Sequence, residues 1–467
     1  MACEACAMRD GQGLEVTNAS GDTIAALDFL NEEWLRYGNR LAEFVAVADK
    51  DERTPMLQLM AACLTLSMDA PDGEAAGKAY LSKAKKIAGP NEREKAWIAA
   101  VDAWAARDAD RALGLHLDMA TQWPRDLMSA KMGQLHAFNL GNNEALLEIA
   151  DRIQPFNQAN HYVWGMRAFG LEQCHRIDEA EESARKAVAM NRDDPWAHHA
   201  VAHCLETRGR MTDGVAWMEG LSDTWATCNS FMQTHNWWHL ALFLIDLDRT
   251  DEALDLFDKR VWGVWKEFCQ DQVNAVSLLA RLELRGVDVG ARWADVAPYL
   301  KPRLHEHYSP FLDLHYLYGL ARAGQASAVT EMLASLEDRA LQAKPFERAA
   351  WVETCVPAAH GLAAHAKGDH AEAARLLSQA LPTLQSIGGS HAQRALFEAI
   401  HLDSVIRANW NDRALALLQA GDRFRPTVPA TKRWLAAVYR KLGRAEEALA
   451  CDYQAAQLAK QYRGATT

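Results

Sequence analysis

Two stretches of this chain concentrate side chains able to ligate a metal, hold an anion or relay a proton. In the first, His198-His199-Ala200-Val201-Ala202-His203-Cys204-Leu205-Glu206, the residues His199, His203 and Glu206 fall at i, i+4 and i+7, so a helix puts all three on one face. In the second, His235-Asn236-Trp237-Trp238-His239, the i, i+4 spacing returns with His235 and His239. Two histidines at that spacing plus a carboxylate can close on one tetrahedral zinc-like ion. His199, His203, Glu206, His235 and His239 are therefore the candidate metal ligands, for a divalent transition metal such as zinc. Glu206, His203 and His235 are the candidates for proton transfer. Each histidine also has a plainer reading, a packed core residue donating to a carbonyl or carboxylate. Burying several titratable groups on one face is costly unless they act together.

The elements that must position these residues are helices. Strand signals are nearly absent, and 3.6-residue periodicity broken by short turns runs through almost all 467 residues. A unit of about 34 residues repeats. Ala168 pairs with Ala202 and Ala180 with Gly214 at that offset, and small residues there let two antiparallel helices approach closely. Further copies span Ala241 to Leu254, His360 to Leu377 and Leu435 to Leu449, with a weaker one from Ala130 to Leu147. The expected fold is all-α, a tetratricopeptide-like α-solenoid in which helical hairpins stack into a right-handed superhelix. Residues 1–22 are expected to form an N-terminal arm and 23–467 a single continuous superhelix, with the most specific site region at 155–320. Joints are expected at Gly73–Gly77, Gly286–Pro302 and Gly388-Gly389-Ser390.

Bulk composition narrows the classes. The 50 basic and 62 acidic residues give a net charge of −12 with no basic block, which argues against nucleic acid as a partner. No apolar run approaches the roughly 18 residues of a membrane span, and the first residues lack a secretory leader. Nine cysteines scattered through helical patterns point to reduced thiols and a cytoplasmic location. Cys3 and Cys6 are the one close pair, without a second pair to complete a metal site. Of the 16 tryptophans, nine lie between Trp164 and Trp293, the stretch that also holds both histidine motifs. Indoles beside polar groups make pocket walls with an N–H to offer.

The order of motifs resembles the tetratricopeptide repeat protein 38 family over nearly the whole chain. The matching pieces include Thr17-Asn18-Ala19-Ser20, Asn91-Glu92-Arg93-Glu94-Lys95, the stretch 161–174, both histidine motifs, 289–300, 312–324 and 388–394. One departure is His391, where relatives often carry Asn, while Gln393 and Arg394 fit the pattern. The resemblance fixes fold far better than activity. It implies that positions 2, 5, 9 and 12 of the first helix of each repeat face a concave groove. Counting from Pro195, these are Trp196, His199, His203 and Glu206; one repeat earlier they are Tyr162, Gly165, Phe169 and Glu172. One repeat later His235 and Trp238 face inward with His239 alongside, while His198 turns to the surface. Asp271 matches an acidic family position, with helix capping as the plain alternative. Asp313 and His315 stand in a family-like motif. The Gly388-Gly389-Ser390 turn could offer N–H groups to an anion with Arg394 as counter-charge, or simply cap a helix. His365 and His370 fall at exposed positions of an ordinary repeat.

Three readings follow. The first is a binding protein whose groove takes a small molecule or a short peptide end through Tyr162, Phe169, Glu172, Trp196, His199, Trp238, Asp271, His315, Gln393 and Arg394. The second is an enzyme, a hydrolase or proton-transfer catalyst, using Glu206 or Glu172 beside His203 and His235, with or without a metal. The third is an assembly scaffold in which the histidines only pack, and oligomerisation is open. No phosphate-binding loop, dinucleotide fingerprint or nucleophile elbow is present in the sequence.

Overall fold

The structure, a computed structural model, describes residues 8–464. Cys3 and Cys6 lie outside the described residues, as does the start of the expected arm. The described residues hold 24 α-helices joined by turns and by short 3-10 and π-helical segments, and the strands among them are one antiparallel pair, Met8–Arg9 with Glu15–Val16. The first helices of successive hairpins begin at Glu92, Leu127, His161, Pro195 and Ser230, steps of 35, 34, 34 and 35 residues. The fold is all-α and tetratricopeptide-like. The chain divides into two compact units, 8–200 with 224–232, and 201–223 with 233–464.

In the first unit, hairpin starts are capped by Asx residues, and two of these, Asp126 and Asp194, serve two helices. Asn91 accepts from the backbone N–H of Glu94 and Glu94 returns a carboxylate, a reciprocal capping pair. One repeat on, Asp126 caps through Ser129 N–H while its other oxygen accepts from Arg93 Nη1 (2.9 Å) and Trp97 Nε1 (2.8 Å). Asp194 repeats the device, accepting from Ala197 N–H (3.0 Å) and pairing with His161 Nδ1 (2.7 Å). Capping therefore also registers one hairpin against the one before it.

The small-residue positions are where helices touch. Ala168 and Ala180 are fully buried, and a Cβ on Gly170 would stand 2.8 Å from the Cα of Leu147. In the second unit, the space beside Gly214 is filled by the Phe243 ring. The expected joint at Gly73–Gly77 is instead the interior of the helix Pro71–Lys86, with Gly73 pressed against Thr65 and Met68 and Gly77 against Leu66 and Thr65. Pro71 at its start, acidic residues in the first turn and lysines in the last favour the helix over a linker.

Candidate functional site

Of the residues expected to line a groove, Tyr162, Phe169, Glu172, Trp196 and His199 belong to the first unit. His203, Glu206, His235, Trp238, His239, Asp271, His315, Gln393 and Arg394 belong to the second.

In the first unit the aromatics surround a lysine. The Trp196 ring stacks on Tyr37 (5.3 Å between centroids), meets Phe169 edge-on (4.8 Å) and lies 4.6 Å from His199. Lys131 Nζ sits 4.3 Å from the Trp196 ring centre and donates to the Tyr37 hydroxyl at 2.5 Å. Burial draws this amine down to about 7, with Asp194 pulling the other way. Tyr37 holds φ +56°, a strained conformation for a bulky side chain, pinned where Asn229 N–H donates to its carbonyl. Tyr162 donates to Glu32 (2.7 Å), and the buried Glu172 accepts from Gln173 (2.5 Å). His198, expected at the surface, is fully buried instead. Its Nε2 meets the Arg192 carbonyl at 2.6 Å and its Nδ1 accepts from Trp225 Nε1 at 3.2 Å. Trp225 drives that correction, because a buried indole N–H needs an acceptor.

In the second unit three imidazoles crowd together. The His203 and His239 rings are 4.6 Å apart and His235 and His239 4.8 Å apart, both pairs edge to face. Glu206 Oε2 lies 3.8 Å from His239 Nδ1, too long for a hydrogen bond. Burial pushes His203 and His239 well below the usual imidazole value; His239 adds to the shift of His203, and His235 and Arg281 add to that of His239. His235 is drawn down to about 4 by burial, against its hydrogen bond to Asn274. All three are neutral imidazoles at neutral pH. A polar chain supports them: His235 Nδ1 to Asn274 Oδ1 (2.9 Å), Asn274 Nδ2 to Thr234 Oγ1 (3.1 Å), Thr234 Oγ1 to Asp271 Oδ1 (3.2 Å). Asp271 also accepts from Trp265 N–H, so its carboxylate is spent inside the fold.

The other predicted positions make hydrogen bonds within the fold. Ser390 caps the helix His391–Arg407 in a reciprocal pair with Gln393. Arg394 donates to the carbonyls of Gly388 and Gly389, a turn that needs two consecutive positive φ angles, 79° and 77°. His315 Nδ1 bonds the Phe311 carbonyl (2.7 Å), its Nε2 has no hydrogen-bond partner, and burial brings the ring down to about 4. His365, expected to be exposed, is buried between Tyr318 and Asp403.

Sequence reasoning missed the arginines. Beside Glu206 opens a cavity of about 410 Å³, lined by Arg281, Arg285 and Arg425, by Asp246, Glu398 and Asp403, and by apolar walls that include Leu242, Leu402 and Trp434. Asp246 takes Arg285 Nη2 at 2.5 Å and Arg425 Nη1 at 3.1 Å. Arg285 Nη1 is buried with no hydrogen-bond partner, while its guanidinium lies 5.0 Å from the Trp434 ring centre. Arg281 finds only neutral acceptors, the Ala392 carbonyl (2.5 Å) and Ser277 Oγ (3.4 Å), and burial lowers it to about 10. Arg281 and Arg285 at i, i+4 among leucines were a visible signal; Arg425, from a distant helix, left none.

No family model matches the chain. Among solved structures it is similar to the human IFIT1 dimer with PPP-AAAA, at 14% identity over 92% of this chain and 95% of that one, TM-score 0.43. It is similar also to the human IFIT1 dimer with m7Gppp-AAAA (14%, 95% and 96%, TM-score 0.42). A monomeric IFIT1 mutant with Gppp-AAAA follows (13%, 93% and 100%, TM-score 0.41). Likeness at this level concerns the fold alone. It does correct one expectation: neighbours of this fold hold capped or triphosphorylated oligonucleotides, so nucleic acid is not excluded. The physical fault lay in using net charge. A chain of −12 can still gather arginines locally, and phosphate responds to the local field.

Proposed function

We propose that this protein is a ligand-binding tetratricopeptide-like solenoid whose second unit takes a compact small molecule or short peptide end by its anionic group. The observation that carries the reading is Arg285 Nη1, a buried cationic donor without an acceptor in the wall of a ligand-sized cavity. An unmatched donor of this kind costs about 1–3 kcal/mol, which a carboxylate or phosphate oxygen would recover. Arg281, without a carboxylate hydrogen bond of its own, is the second donor, and the leucines and Trp434 suit an apolar body. The resemblance to the tetratricopeptide repeat protein 38 family belongs to this reading, as does a cytoplasmic location. No helix among the described residues is long and apolar enough to cross a membrane.

The test is calorimetric binding of phenyl phosphate and of N-acetyl-phenylalanine to the wild type and to Arg281→Met and Arg285→Met. Each loss of a charged hydrogen bond should weaken binding about tenfold or more. Equal binding by all three proteins, or none by any, rejects the reading. A second reading, proton transfer, is favoured by Glu206, which lines the cavity and neighbours His239. It requires that a bound carbon acid exchange hydrogen with D2O, and that Glu206→Gln stop the exchange while leaving binding intact.

A further inference from the structure

We propose that His365, His370 and Asp403 form a binding site for a zinc-class divalent cation, separate from the histidines first singled out. His365 ends the helix Val356–Lys367, His370 opens the helix His370–Ala380, and Asp403 comes from the helix His391–Arg407. The tight turn between the two histidines is made by Gly368 at φ 83° and by Asp369, which caps the second helix. Each residue brings one ligand atom within 4.8 Å of the other two. Around a tetrahedral zinc such atoms stand about 3.3 Å apart; His365 Nε2 and Asp403 Oδ2 are already 3.0 Å apart, so what closes is the gap to His370, by at most about 1.5 Å. His370 is half-buried at a helix start.

Three details go beyond proximity. His370 Nδ1 is shielded from solvent yet has no hydrogen-bond partner, a lone pair kept from water without compensation. Burial and the neighbouring His365 lower its affinity for protons, which keeps it neutral and able to ligate. His365 is already oriented from behind, with Nδ1 3.0 Å from the Tyr318 hydroxyl and Nε2 3.0 Å from Asp403 Oδ2. The Tyr318 contact on Nδ1 is the outer support a ligating imidazole needs. Ion uptake requires the Nε2 lone pair, so the ring proton moves to Nδ1 and Tyr318 turns from donor to acceptor. Arg407 is the competitor, holding the same carboxylate at 3.0 and 2.8 Å. Three protein ligands leave a tetrahedral ion one open position, the arrangement of catalytic rather than structural zinc.

The test uses the full chain stripped with chelator and titrated with Co2+, read by visible absorption, and with Zn2+, read by calorimetry. The expected result is uptake of about one equivalent, weakened about 10–100-fold or more in His370→Ala and in Asp403→Asn. Arg407→Met should bind more tightly, a gain that partial unfolding cannot produce. His203→Ala, His235→Ala and Arg281→Met should keep full uptake, so failure here is distinct from failure of the arginine cavity. No uptake by the wild type overturns the proposal. So does uptake that survives both His370→Ala and Asp403→Asn, or that disappears in His203→Ala or His235→Ala.

Discussion

His235 shows how a buried imidazole is held in one orientation while burial keeps it neutral. Its Nδ1 donates to Asn274 Oδ1, and Asn274 is fixed in turn by Thr234 and Asp271. Asn274→Ala leaves a buried donor unmatched and should cost about 1–3 kcal/mol in chemical denaturation. Asn274→Asp replaces the amide oxygen with a carboxylate, which favours imidazolium, so the His235 titration should rise from about 4. An NMR titration of the ring protons checks this; an unmoved His235 would mean that the group at position 274 has no hold on the ring's proton affinity. At this scale the sequence exposed the histidines, because i, i+4 spacing is local. It concealed their partners, since Asn274 and Asp271 gain meaning only where another helix crosses. It also concealed the arginine cavity, which Arg425 completes from a distant hairpin.

At the scale of the element, the helix-to-helix approach gives one substitution two opposite signs. Gly170 lies inside the helix His161–Gln173, where alanine would gain about 1 kcal/mol of helix propensity. Its Cβ would meet the backbone of Leu147, which cannot turn aside, and such overpacking costs about 1–3 kcal/mol or more. Gly170→Ala should therefore destabilise. Gly114 and Gly421 are also in helix interiors, but an added methyl there would have nothing within 4 Å, so Gly114→Ala and Gly421→Ala should stabilise by up to about 1 kcal/mol. Denaturant midpoints of the three variants decide it, and a common sign would refute the packing account. The hairpin repeat was legible for the same reason, because close approach forces small residues at a fixed period. Gly73 and Gly77 were misread as a joint because glycine also marks loops. Only the chain facing them, Thr65, Leu66 and Met68, shows that they are contact positions.

Across the whole molecule the histidines set a common acid limit. Burial brings His116 and His136 of the first unit to about 3, and His235 and His315 of the second to about 4. In the unfolded chain each returns to about 6.5. The folded state binds protons more weakly, so as pH falls below about 6.5 the unfolded state gains protons that the native state refuses. Stability is then lost at about 1.4 kcal/mol per pH unit for each such group, down to its folded value. Carboxylate protonation adds little until lower pH, so the loss between pH 6.5 and 5 belongs chiefly to imidazoles. Four groups over that interval amount to about 8 kcal/mol, comparable with the 5–15 kcal/mol that holds an ordinary domain together. Urea denaturation should therefore show a plateau above pH 7 and a steep decline below 6.5, with native structure lost before pH 4. His116→Gln keeps a hydrogen-bonding group near Ser129 but cannot titrate, so it should reduce the slope by about one proton. A stability profile flat from pH 7 to 5 would mean that these rings accept protons in place, and that the buried clusters are open to water.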